Sequence, residues 1–147
     1  DGLGVAIGGG TFSSNPMTMR AGLATLDHLA AHPEGYEKIG RMGEALRDQS
    51  REVLATHGVT AVVTGLESLF QIHFLQEETE ALRSAEDVHR FSARRRGEEE
   101  FKVRMLNEGI HTVHGGGGLS FVHSGSDVRG FLEALSVVAS AMAEAPA

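Results

Sequence analysis

The residues with most chemical potential stand together near the start of the chain, in Ile7-Gly8-Gly9-Gly10-Thr11-Phe12-Ser13-Ser14-Asn15-Pro16. Three glycines let the backbone curve tightly and come close to a ligand. Asn15 is a good helix N-cap, and Pro16 suits a first helical position, where a missing N–H loses nothing. The helix that follows begins with unpaired N–H groups and the positive end of its dipole, just after the hydroxyls of Thr11, Ser13 and Ser14. That combination is a seat for a phosphate. On residue types alone, a flexible glycine-rich entry to an ordinary capped helix is the commoner reading of such a stretch.

Other polar clusters are weaker. His28 and His32 have the i, i+4 spacing of metal ligands, but they fall at a helix C-terminus with no third ligand nearby. His73 has no carboxylate or serine that the sequence assigns to it, so it reads as solvated or hydrogen-bonded. His111 and His114, three apart on an extended segment, face opposite sides. The run His114-Gly115-Gly116-Gly117-Gly118 is not followed by a lysine, which excludes a phosphate-binding P-loop and leaves a flexible hairpin. Arg94-Arg95-Arg96 precedes Glu98-Glu99-Glu100, so it reads as a solvated helix face rather than a nucleic-acid site. With no cysteine, disulfides, thiolate catalysis and Cys-type zinc sites are all excluded.

Hydrophobic periodicity gives the elements that must position these groups. A first helix spans Pro16 to about Ala31, with apolar residues on two faces, and is expected to be buried on both sides at a subunit or domain boundary. His32-Pro33-Glu34-Gly35 is read as a break. A second helix runs from about Tyr36 to Thr56 with Tyr36, Ile39, Gly43, Leu46, Ser50 and Val53 on one face, ended by Gly58. Val59–Thr64 and Leu69–Leu75 form an antiparallel hairpin, Phe70, Ile72 and Phe74 pointing one way. One helix is expected from about Ala85 to Glu108, with a kink or break at Gly97. Short strands at Ile110–Val113 and Leu119–His123 flank the second glycine run. A last helix spans about Ser126 to Glu144, with Ser126 as N-cap. Asp1–Ile7 is a short strand or a loose end. The sum is a two-layer α/β (α+β) unit, a small largely antiparallel sheet with helices on one face.

The formal charge of −7 over 147 residues argues against a general nucleic-acid or anionic-membrane binder. No apolar run reaches the ~18–20 residues that cross a bilayer, and no signal peptide is visible, so the expected setting is cytoplasmic. The first residue is Asp1, and a fragment of a longer protein is expected.

The stretch Gly9-Gly10-Thr11-Phe12-Ser13-Ser14-Asn15-Pro16-Met17-Thr18-Met19-Arg20-Ala21-Gly22-Leu23-Ala24-Thr25-Leu26 resembles the segment G-G-T-[FL]-S-G-N-P-[LI]-x-M-x-A-G-L-A-x-L of class III pyridoxal-phosphate aminotransferases. Within them it most resembles the glutamate-1-semialdehyde 2,1-aminomutases. Met105-Leu106-Asn107-Glu108-Gly109-Ile110 is similar to a further family motif, as is Phe121-Val122-His123-Ser124-Gly125-Ser126-Asp127-Val128. The resemblance covers residues 7–31 and 34–144. It implies a fold type I enzyme with pyridoxal 5′-phosphate as coenzyme, a small amino-acid-like substrate, and a homodimer whose partner shares the coenzyme site. Residues 1–31 would end the large domain with its linking helix, and residues 32–147 would be the C-terminal small domain. By the same resemblance Gly10 and Thr11 would hold the coenzyme phosphate across the dimer interface. The family's Schiff-base lysine would lie before this segment, because Lys38 and Lys102 are in no comparable motif; no catalytic residue is expected in this segment. Ser14 replaces a usual glycine. The glycines at 114–118 replace a loop with acidic and aromatic residues, which leaves aminomutase and transaminase both open. A noncatalytic dimerisation or interaction domain is the alternative.

Overall fold

The computed structural model describes residues 10, 12, 14–79, 81–93 and 95–144. The expected strand at Asp1–Ile7, and Thr11, Ser13 and Arg94, lie outside the described residues. The chain divides into two compact units, residues 1–36 and 37–147.

In the first unit, α1 spans Pro16–Ala31, the span expected from the sequence. The Asn15 side chain accepts from the Met17 N–H at 2.9 Å, with Pro16 next to it at the helix start. What would cover its two apolar faces at a subunit or domain boundary is not among the described residues. None of its residues is buried, and Met17, Met19, Leu23 and Leu26 are exposed. Periodicity shows which faces are apolar but not what covers them.

α2 (Pro33–Thr56) begins three residues earlier than expected. Pro33 does not break the chain but opens the helix, because proline is tolerated in a first turn. Its buried residues in the second unit are Ile39, Gly40, Gly43, Leu46, Ser50 and Leu54.

β1 (Ala61–Thr64), β2 (Leu69–Phe74) and β3 (Gly116–Gly118) form a three-stranded antiparallel sheet in the order β1-β2-β3. Val63, Phe70, Ile72 and Phe74 join one core with Leu46 and Leu54 of α2, with Phe101, and with Met105 of α4 (Lys102–Asn107). The apolar face of α5 (Gly125–Ala143) completes it through Phe131, Leu135, Val138 and Met142. The Phe70 and Phe131 rings meet edge-on at 5.1 Å. Burying one face of a short sheet under helices in this way lets the strand alternation Phe70, Ile72, Phe74 drive the packing.

Two expectations are corrected. The single helix over 85–108 is in fact α3 (Ala85–Phe91), a π-helical turn (Arg96–Phe101) and α4. The interruption comes before Gly97, because the backbone at 91–93 bonds to the end of β2. Ala93 N–H donates to Phe74 O at 2.7 Å, and Gln76 N–H donates to Phe91 O at 2.8 Å. The second correction is that strands flanking a glycine loop are not formed. The glycines themselves are the strand: β3 pairs Gly116 with Gln71, Gly117 with Phe70 and Gly118 with Leu69. Close approach requires them there, since a Cβ on Gly116 would lie 2.4 Å from Phe70 O. Val113 and Gly116 bond each other across the turn His114-Gly115, both at positive φ (50° and 84°). Leu119–His123 is a turn, not a strand.

Candidate functional site

The candidate phosphate seat is the loop entering α1. Gly10 is exposed and Ser14 has a left-handed backbone (φ 61°). Asn15 N–H donates to Phe12 O at 3.3 Å, and the Thr18 hydroxyl bonds Phe12 O at 3.0 Å and Asn15 O at 2.8 Å. These bonds tie Phe12 to the first turn of the helix. Pro16 has no N–H and Asn15 occupies that of Met17, so among the first three helical positions only Thr18 has an amide outside that side-chain cap. Thr11 itself lies outside the described residues.

His28 and His32 do not form a chelate. Their rings stack at 4.3 Å, and the His32 Nδ1 bonds His28 O at 2.7 Å. Among the described residues no group of three or more His, Asp or Glu is placed to hold a metal. His73 is half-buried, and its Nε2 is 3.1 Å from the Thr64 hydroxyl. Burial pushes its pKa below the ordinary 6.5, favouring the neutral ring. His111 is exposed, and His114 lies in the tight turn, where Gln71 Nε2 donates to its carbonyl. The Arg95–Glu99 pair is fully solvated, and Arg104 pairs with Glu100 at 3.0 Å.

Sequence reasoning missed a cluster at the start of α5. The N-cap is Ser124, not Ser126, and its N–H and hydroxyl each donate to the Asp127 carboxylate at 2.7 Å. Ser124-x-x-Asp127 was a readable capping signal, as was Ser84-x-x-Asp87 before α3. Ahead of it, His123 Nδ1 accepts the Ser120 N–H at 2.8 Å, and Lys38 Nζ donates to Phe121 O (3.1 Å) and His123 O (2.8 Å). The lysine thus ties the 120–123 turn to α2, a contact between residues far apart in sequence.

Ser124's hydroxyl first, and then its N–H, hold the Asp127 carboxyl below its usual value near 3.8. A lowered carboxyl pKa contributes stability above the unfolded value, and that contribution disappears as pH falls through the folded value. The stability difference between wild type and Asp127→Asn should therefore be present at neutral pH and shrink as pH drops below 3.8. Thermal melts of both proteins across that range check it.

No family model matches the chain. Curated relatives do. The chain is 38% identical over 103 residues to a β-phenylalanine transaminase of Variovorax paradoxus, covering 70% of this chain and 22% of that protein. It is 30% identical over 138 residues to a glutamate-1-semialdehyde 2,1-aminomutase of Akkermansia muciniphila, covering 92% of this chain and 31% of the relative. A solved transaminase with pyridoxal phosphate bound superposes with a TM-score of 0.71 at 26% identity, over 95% of this chain and 31% of that one. The chain belongs to the class III aminotransferases. It matches their C-terminal segment, and it spans less than a third of the length of these relatives. Pyridoxal 5′-phosphate is the coenzyme of this family. The three-stranded sheet with its helices is accordingly a small part of a class III transaminase fold. Among the described residues no helix is long and apolar enough to cross a membrane.

Proposed function

We propose that this chain is the C-terminal part of a cytoplasmic, homodimeric class III aminotransferase or aminomutase acting on a small amino-acid-like substrate. Residues 1–31 close the large domain and supply its linking helix, and residues 32–147 are the small domain. The observation that carries this reading is the run Gly9–Leu26, which joins the glycine-rich loop to α1. Matches to a transaminase and an aminomutase that together reach most of the chain support it. Bound pyridoxal phosphate supplies an electron sink for moving the amino group. Gly10 brings the backbone close to the coenzyme phosphate, and Thr11 donates a hydroxyl and an N–H to it, in a site shared with the partner subunit. The Thr18 hydroxyl, donating to Phe12 O, ties the residue that follows Thr11 to the start of α1.

This chain's own lysines do not supply the reactive amine. Lys38 is engaged by two carbonyls of the 120–123 turn, and Lys102 opens α4 on an exposed position. The isolated 147 residues are therefore expected to catalyse nothing. The test is a chimaera in which this chain replaces the matching segment of the Variovorax paradoxus enzyme. The chimaera should bind coenzyme and turn over β-phenylalanine, and the isolated chain should not. A folded chimaera unable to bind coenzyme would overturn the proposal, as would turnover by the chain alone. In that chimaera, Thr11→Ala should weaken coenzyme affinity roughly 10- to 100-fold, the value of a hydrogen bond to a charged group, measured by equilibrium dialysis.

A noncatalytic dimerisation or interaction domain is the second reading, favoured by the exposed stripe Met19, Leu23 and Leu26 on α1. Sedimentation of the purified chain separates them: a monomer at all concentrations removes this alternative.

A further inference from the structure

The outer edge of β1 has backbone groups that no described residue uses. Leu75 N–H donates to Thr60 O at 2.9 Å, so in this antiparallel pair the bonded partners are Thr60–Leu75, Val62–His73 and Thr64–Gln71. The N–H and C=O groups of Ala61 and Val63 must then point away from β2. Arg51 confirms this, because its Nη2 donates to Val63 O at 2.9 Å from outside the sheet. That guanidinium closes the edge at Val63, while among the described residues none bonds the N–H or C=O of Ala61. β1 is an edge strand, with β2 on its other side.

Beside Ala61 lies a cleft of about 580 Å³, lined by Ala55, Gly58, Val59, Thr60, Glu78 and Thr79 among others. Small side chains on its walls leave room for a side chain from outside. Its charge has one sign. Glu78 is the one charged residue among the described residues that line it, and the last turn of α2, which presents the negative end of a 24-residue helix, contains no basic residue. No lysine or arginine is among the lining residues.

We infer that this edge and cleft form a docking site for an extended basic peptide segment of another polypeptide, added as a fourth strand beside β1. Main-chain bonds to Ala61 supply the pairing, and a lysine or arginine of the segment enters the cleft toward Glu78 and the end of α2. An open strand edge is an invitation to pairing that proteins normally block, and here the block covers only the Val63 end. Charge selects among extended segments: an acidic one meets Glu78 and the helix end with like charge. This inference does not depend on the coenzyme reading, since no residue of the 10–18 loop takes part.

The test is a titration of the ¹⁵N-labelled 147-residue chain with the capped pentapeptide Thr-Val-Lys-Val-Thr and with the same peptide carrying Glu for Lys. The lysine peptide should give saturable amide shifts centred on residues 59–63 and 78–79. The glutamate peptide should bind at least about threefold more weakly, the scale of an exposed charge pair. Glu78→Gln, an exposed change that leaves the core untouched, should reduce that difference. Methylating the central peptide nitrogens, which leaves the protein unaltered, should abolish the shifts. Shifts scattered over the surface, equal binding of the two peptides, or indifference to N-methylation would each overturn the inference.

Discussion

Gly43→Ala is expected to destabilise the second unit by about 3 kcal/mol, the upper end of ordinary overpacking. A Cβ on Gly43 would lie 2.0 Å from Glu67 O and 3.0 Å from Ser68 Cα, both backbone atoms of the β1–β2 turn. That turn has little freedom to retreat. Arg47 Nη1 donates to Glu67 O at 2.6 Å and to Leu69 O at 2.9 Å, and Gly65 sits against the Leu69 backbone at φ 148°. Gly40, one turn earlier on the same face, is the control. Its Cβ would meet only the Glu67 carboxylate, Oε2 at 2.3 Å and Cδ at 3.5 Å, the far end of a flexible side chain. Gly40→Ala should therefore be near neutral, the glutamate moving aside while alanine adds about 0.5–1 kcal/mol of helix propensity. Urea denaturation of the two variants should show a large fall in midpoint for the first and almost none for the second. Equal effects would mean that the turn does not press on α2 as described.

The same pair of glycines shows what sequence could reveal and what it could not. Gly43 is legible as a residue on the apolar face of α2, because spacing along one helix fixes its direction. Its partner is a hairpin more than twenty residues away, and no local pattern encodes that contact. The same distinction runs through the fold. α1 was readable to its ends because cap, proline and apolar period are all local signals, but what covers its apolar faces depends on surroundings that no local signal names. Phe70, Ile72 and Phe74 announced the inward face of β2 by alternation alone. β3 was hidden, since glycine is poor in strands by propensity and only the nearness of Phe70 O explains its use. The long helix over 85–108 had sound periodicity, yet backbone pairing of residues 91–93 with the end of β2 overrode it. At the candidate site, the Gly9–Leu26 run carried its own family resemblance. The Lys38 clamp could not be foreseen, because its acceptors are carbonyls, which any residue type supplies.

Phe101→Ala should cost about 4 kcal/mol, within the range for emptying a fully buried aromatic site. Phe101 is 0% exposed and its ring lies 5.0 Å from that of Phe74. It is the last residue of the π-helical turn and the first anchor of α4, one turn ahead of Met105, which is also 0% exposed. The other end of that turn is fastened too, since Arg96 Nη2 donates to Met142 O at 2.6 Å. A segment held at both ends cannot collapse freely into a vacated space, so most of the cavity should persist and the loss should stay near the high side. Phe101→Leu retains much of the volume and should lose clearly less. The decisive measurement is the urea midpoint at unchanged slope for both variants, combined with Arg96→Met. If the π-turn is what prevents collapse, releasing its far end should make Phe101→Ala less costly in the double variant than in the single one. Strict additivity would show instead that the core around Phe74 and Met105 holds its shape without help from α5.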